Sequence, residues 1–187
     1  MNEPQFSLRT PEGDDLPRKI CDNCGFVAYE NPKIVVGSVV RHDGRILLCR
    51  RAIEPRRGFW TIPAGYLELN ETPEDGALRE AREEARAVLA LKGLLAVYSV
   101  PRISQVQLIY RALLAEPDFS AGPESLDVQL FDWADIPWTA LAFPSVHWAL
   151  EHDRAAEAGA AAMPFTNPDG VSGDTMPDGS PLRAGEF

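Results

Sequence analysis

At 187 residues, 45% apolar and 25% charged, the chain has room for one globular domain with a real core and too little for two large ones. A formal charge of -10 excludes broad electrostatic attraction to nucleic acid or to acidic membranes, so a phosphorylated substrate would need cations to approach it. No apolar run approaches the roughly 18 residues of a membrane span, and "MNEPQFSLRTPEGDD" carries neither a secretory nor a lipidation pattern; a soluble cytoplasmic protein is the expectation.

Residues 1 to about 20 are polar and rich in Pro, Gly and Asp, and read as an arm. The arm runs into "CDNCG", where Cys21 and Cys24 form a CxxC, and this N-terminal segment is taken to end at residue 32. A structural zinc wants four ligands, and no second CxxC or spaced His-Cys pair is present. The pair therefore reads as a tight turn, with zinc completed by another chain or an unexpected residue as the alternative. Cys49, inside the apolar "ILLCRR", reads as an inert core residue.

The main domain is assigned to residues 33–158. "KIVVGSVV" and "RILLCRR", separated by a turn containing Asp-Gly, predict a hairpin, and "GFWTIPAGYLEL" predicts further extended chain broken at Pro63 and Gly65. Thr72 is a candidate N-cap, Pro73 suits the first helical position and Asp75 sits where a box partner belongs, so a helix is predicted from here to about Leu89. Strand-like runs follow near Leu94 to Val100, near Val106 to Leu114 and in "LDVQLFDW", and a second helix is predicted after Pro144. Mixed strands and helices imply a layered domain with a sheet held between helices. From 159 to 187 turn residues dominate without a period, which predicts a disordered tail.

The first helix carries an anomaly. At about 100° per residue, Glu80, Glu83 and Glu84 share one edge of it, beside the packing arc of Ala77, Ala81 and Ala85. An Arg79–Glu83 pair contributes only about 0.2–0.5 kcal/mol, and the like-charge neighbours lose as much, so stability does not account for the cluster. A hard divalent cation does, because Mg²⁺ takes oxygen ligands and bridges carboxylates to substrate phosphates. A solvated charged face is the competing reading.

Laid from Gly65, this stretch resembles the Nudix box, G-x5-E-x7-R-E-U-x-E-E-x-G-U with U a bulky aliphatic residue: Gly65, Glu71, Arg79, Glu80, Glu83 and Glu84 fall on their places. Ala81 is small at an aliphatic place, Arg86 stands at the last glycine, and Asn70 occupies a place often held by glycine. From about residue 10 to 150, with "PEGDDLPRKICDNCGFVAYENPKIVVG" and "RRAIEPRRGFWTIPAGY", the chain resembles the Nudix branch bearing an N-terminal zinc ribbon. That branch has a further CxxC before "PEGDD", which "MNEPQFSLRT" lacks, so the ribbon is truncated here.

The resemblance implies an α+β fold, an α/β/α sandwich with a mixed sheet between helices. It implies Mg²⁺- or Mn²⁺-dependent hydrolysis of the pyrophosphate bond in a nucleoside diphosphate linked to another moiety, of the ADP-ribose, FAD or NADH type, and a homodimer. Glu80, Glu83, Glu84 and the Gly65 carbonyl become metal ligands, with Glu83 or Glu84 the base, and Glu71 and Arg79 the pair that ties loop to helix. Glu124 in "PESLDVQLF" falls where related NADH pyrophosphatases complete the metal site; Asp127 and a merely solvated loop acid are the alternatives.

Arg51, Arg56 and Arg57 are candidate phosphate contacts because a guanidinium matches phosphate oxygens, although each alone is more often a surface cation. Phe59, Trp60, Tyr66, Tyr98 and Tyr110 are candidate stacking partners or core residues, and Gln105 is a candidate reader of base or ribose. A Nudix-fold module that senses a nucleotide without cleaving it is the alternative function; the intact carboxylates favour the enzyme, and nothing resembles a DNA-reading helix pair.

Overall fold

The computed structural model describes residues 3–159 and 164–182. The chain divides into two compact units, Met1–Pro32 and Lys33–Phe187.

In the first unit β1 (Phe6–Arg9), β2 (Arg18–Cys21) and β3 (Val27–Ala28) form an antiparallel sheet in that order. This corrects the expected arm. Its Pro, Gly and Asp residues are the turns of a meander: Asp14 accepts from Arg18 Nε at 2.9 Å, and Gly25, at φ 76°, donates to the Cys21 carbonyl at 2.9 Å.

The second unit begins with β4 (Lys33–His42) and β5 (Arg45–Arg51), whose turn places Asp43 and Gly44 at φ 49° and 78°, as a two-residue hairpin requires. Then come β6 (Trp60–Thr61), β7 (Ala64–Tyr66), α1 (Pro73–Ala85), β8 (Leu89–Val100), β9 (Gln105–Leu114), β10 (Ser125–Phe131) and α2 (Pro144–Glu157). The sheet runs β10-β5-β4-β9-β8, with β6 on β5 and β7 on β4. β4 and β9 pair in parallel and the other pairs are antiparallel, so the sheet is mixed.

Alternation along the strands feeds two cores. Val39, Ile46 and Leu48 pack with Val146, Ala149 and Leu150 of α2, whereas Val40 and Leu47 pack with Ala81 and Ala85 of α1. The result is an α+β sandwich with one helix on each face. Among the described residues no helix is long and apolar enough to cross a membrane.

Two further expectations are corrected. Helix α1 stops at Ala85, short of Leu89, because Arg86 turns left-handed at φ 50° and the Ala87 N–H bonds back to the Ala81 carbonyl at 3.2 Å. Leu89 starts β8 instead. Of the tail expected to be disordered from 159 to 187, residues 160–163 and 183–187 lie outside the described residues, and 164–182 are held: Val97 N–H donates to the Phe165 carbonyl at 2.9 Å, and Phe165 N–H to the Leu95 carbonyl at 2.8 Å. Strand β8 is the sheet edge, and its free backbone groups supply the partners that a local composition argument does not register.

Candidate active site

Strand β4 pairs with β7 in the register Val36 to Gly65 and Gly37 to Ala64. Gly37 makes this close approach possible, since a Cβ there would lie 2.5 Å from the Ala64 Cβ and 2.9 Å from the Pro63 carbonyl oxygen. Gly65 has an equally local reason to lack a side chain: a Cβ would lie 2.5 Å from the Glu80 carboxyl carbon. The chain after β7 then reaches α1 through Asn70, which takes a positive φ of 66° that asparagine tolerates. Thr72 caps the helix, accepting from Asp75 N–H at 3.1 Å.

Arg79 joins loop to helix. Its Nη2 donates to Glu71 Oε1 at 2.7 Å and to the Tyr66 carbonyl at 2.9 Å, and its Nε donates to Glu71 Oε2 at 3.1 Å. The bidentate Arg79 bond, with the Glu68 N–H at 2.7 Å, lowers the Glu71 pKa. Through Nη1 the same guanidinium reaches Glu80 at 2.7 Å and Glu83 at 2.8 Å. Arg79 is thus not the solvated i, i+4 partner of Glu83 alone.

Glu80 and Glu84 are 8% and 5% exposed, inside the buried stripe of α1. Burial raises the Glu80 pKa against the pull of Arg79. Among the described residues Glu84 accepts one hydrogen bond, from the Ala64 N–H at 3.1 Å, and burial, reinforced by the negative charges of Glu80 and Glu124, pushes it up to about 8. Arg51 is the nearby cation that opposes this, and burial lowers its own pKa.

These groups open onto one cavity of about 510 Å³. Gly65, Arg79, Glu80, Glu83 and Glu84 line it, together with Arg51, Gln105 and Glu124 from other segments. Gln105 donates from Nε2 to the Tyr66 hydroxyl at 3.2 Å. Arg56 and Arg57 are not among the lining residues; the Arg56 guanidinium lies 3.9 Å from the Phe59 ring centre and bonds the Ala142 carbonyl at 3.2 Å. Asp127 is also outside the cavity, with its carboxylate on Val128 N–H and Gln129. Of the candidate aromatics, Tyr66 faces the cavity, while Tyr98 and Tyr110 are buried in the cores.

A domain model, described as NUDIX domain, matches residues 31–149, and a second, a zinc-ribbon model described as Nudix N-terminal, matches residues 4–30. The chain belongs to the Nudix hydrolase family. It is 46% identical to a Nudix hydrolase of known crystal structure from Nitrosomonas europaea, with a TM-score of 0.82 over 87% of this chain and 93% of that one. It is 29% identical over 113 residues to the ADP-ribose pyrophosphatase of Methanocaldococcus jannaschii, 58% of this chain and 67% of that protein. It is 36% identical over 120 residues to the NAD-capped RNA hydrolase NudC of Edwardsiella ictaluri, 62% of this chain and 44% of that protein.

The donor set of this Nudix domain suits a hard divalent cation. Carboxylates and a backbone carbonyl are the oxygen ligands that Mg²⁺ and Mn²⁺ take, and a buried carboxylate with its pKa near 8 gains most from an adjacent cation. Among the described residues no three His, Cys, Asp or Glu groups stand together as a ready-made site; Arg79 holds Glu80 and Glu83 in their present positions. In the first unit Cys21 is buried and Cys24 exposed, and the backbone N–H groups of Cys24 and Asn23 lower the Cys21 pKa. This pair is half the donor set of a structural zinc.

Sequence reasoning missed how the loop before β10 joins the Nudix helix. Ser120 N–H donates to the Ala85 carbonyl and Gly122 N–H to the Glu84 carbonyl, both at 2.9 Å, so the loop satisfies the open end of α1. Gly122 must be glycine, because a Cβ would overlap the Glu83 carbonyl oxygen. Tying the loop down at Gly122 is what brings Glu124 to the cavity. A glycine in a loop beginning "AEPDF" is the available signal, and it reads equally well as an ordinary turn.

Proposed function

We propose that this Nudix hydrolase cleaves the pyrophosphate bond of a nucleoside diphosphate linked to another moiety, with Mg²⁺ or Mn²⁺, ADP-ribose being the first candidate and FAD and NADH further members of the class. The observation that carries this is the convergence of Glu80, Glu83, Glu84, Glu124 and Arg51 on one cavity large enough for a dinucleotide's diphosphate. The name of the Methanocaldococcus relative supports ADP-ribose in particular.

Glu80, Glu83, Glu84 and the Gly65 carbonyl would hold the metal, and Glu124 would complete the set. Bound there, the ion would neutralise the diphosphate and lower the pKa of an attacking water. Glu83 or Glu84 orients that water and takes its proton. Arg51 places a fixed positive charge in the same cavity, matched to phosphate oxygens. Glu71 and Arg79 act at one remove, by holding the loop that carries Gly65. Gln105, which lines the same cavity, would contact base or ribose.

The test is incubation with ADP-ribose, FAD, NADH and diadenosine polyphosphates plus Mg²⁺, with products separated and counted. Two phosphomonoesters from ADP-ribose, AMP and ribose phosphate, are expected, and chelator abolishes them. Binding of ADP-ribose without turnover of any substrate would instead make the protein a sensor.

A further inference from the structure

The cavity is not built from the Nudix motif alone. Val100 at the end of β8, Ile103 in the β8–β9 connection and Trp148 of α2 line it too, and so does Gly173, from the C-terminal segment. Four observations fasten that segment. Phe165 pairs with Ala96 on the edge of β8, and its ring stacks on His152 of α2 with centres 4.4 Å apart. The Asn167 side chain imitates a strand residue, accepting from Ser99 N–H and donating to the Ser99 carbonyl, each at 2.8 Å. Its Nδ2 also donates to the Val171 carbonyl at 3.0 Å, closing the segment on itself. Asp174 accepts from Arg102 Nε at 2.9 Å, within the short helical turn Pro101–Ile103 that joins β8 to β9.

Between these anchors the backbone at Gly173 lies directly on the cavity wall. A Cβ there would sit 3.3 Å from Val100 Cγ1 and 3.4 Å from the Trp148 ring, and φ of 86° disfavours any side chain. Where the segment is held, Gly173 backs Val100 and Trp148 from outside.

We propose that residues 164–182 are a specificity-determining wall of the substrate cavity, with Asn167 and the Arg102–Asp174 pair as positioning residues that set how large a second moiety fits beside the nucleoside diphosphate. This rests on the hydrolase activity proposed above. None of these residues belongs to the acidic edge of α1, so the wall acts on size selection and binding rather than on the chemical step.

Four full-length variants test it: Asn167→Ala, Arg102→Asp, Asp174→Arg and the Arg102→Asp/Asp174→Arg double exchange. Steady-state hydrolysis of ADP-ribose and of the bulkier FAD is measured with each. For Asn167→Ala and both single charge reversals, KM for ADP-ribose rises about fivefold with kcat within about twofold, and the ratio of kcat/KM for FAD over ADP-ribose rises by a similar factor. The double exchange returns both quantities toward the parent. Loss of general stability would lower activity on both substrates together and leave that ratio in place.

An unchanged ratio and KM in Asn167→Ala and in both reversals, with the parent active, overturns the wall. A parent that cleaves none of these substrates overturns the hydrolase reading instead; the wall is then read in calorimetric affinities for ADP-ribose and FAD, whose unchanged ratio, or absence of binding, overturns it as well.

Discussion

Helices α1 and α2 lie on opposite faces of one sheet, and a buried carboxylate on each, Glu84 and Asp153, lives in different company. Asp153 of α2, 1% exposed, is clamped by Arg41 Nε at 2.5 Å and Arg111 Nε at 2.7 Å. Glu84 of α1, 5% exposed, accepts a single backbone N–H among the described residues and stands near the charges of Glu80 and Glu124. The first acid joins a helix to β4 and β9, which is a structural task. The second costs stability as an anion, and a protein retains such a group where a ligand supplies the missing positive charge.

The contrast breaks most sharply at Glu84, proposed above as a metal ligand and candidate base. Glu84→Gln is expected to lower kcat on the best substrate on the order of 10³-fold, about 4 kcal/mol of barrier, while the metal-free protein melts no lower than the parent. Parent-like turnover in this variant would remove Glu84 from the chemistry. At Asp153 the expectation reverses: Asp153→Asn takes from Arg41 and Arg111 the acid they share, leaving Arg111 its pair with Glu157, and costs about 3 kcal/mol in denaturant titrations, with kcat of the folded enzyme little changed.

A third difference lies in pH. Burial raises the Glu84 pKa to about 8 in the folded chain, above the ordinary 4.5, so the folded state holds a proton that the unfolded state has released. Its favourable contribution is complete below about pH 4.5 and is lost as pH rises through about 8, roughly 2 kcal/mol of it between about pH 6 and pH 8. Chelator-treated parent should therefore lose stability over that window, Glu84→Gln should not, and saturating Mg²⁺ should flatten the parent curve. A flat curve in metal-free parent would mean that Glu84 is solvated.

The smallest effect concerns the end of α1. Arg86 occupies a left-handed conformation at φ 50°, with its Nε on the Ala121 carbonyl at 3.3 Å. Arg86→Gly relieves the backbone and forfeits that long bond, for a net gain of about 0.5 kcal/mol in thermal unfolding and no change in kcat.

Much of the helix is legible in the chain's residues alone. Thr72, Pro73 and Asp75 announce where α1 starts, and the Glu80, Glu83 and Glu84 spacing puts three acids on one edge. The end of α1 is less legible, because it depends on Arg86 adopting a conformation that arginine rarely takes and on donors from Ser120 and Gly122. Arg51, Arg56 and Arg57 look equivalent in sequence; the hairpin's course leaves only Arg51 on the cavity. Turn-rich composition predicts an arm at one end and disorder at the other. At the first end Pro, Gly and Asp instead mark the turns of a local meander, and at the other the segment pairs through Phe165 with Ala96 of β8, far away in the chain.

By itself the sequence determined the order of the main strands and helices from Lys33 onward, the helix cap, the acidic edge and the family, because those rest on spacing and on interactions within a few residues. Only the tertiary structure decided that Glu84 is buried against Ala64, that Glu124 reaches the same cavity, and that Gly173 closes part of its wall. Burial and long-range contact depend on which distant segments meet, and that is settled by packing across the sheet, not by local pattern.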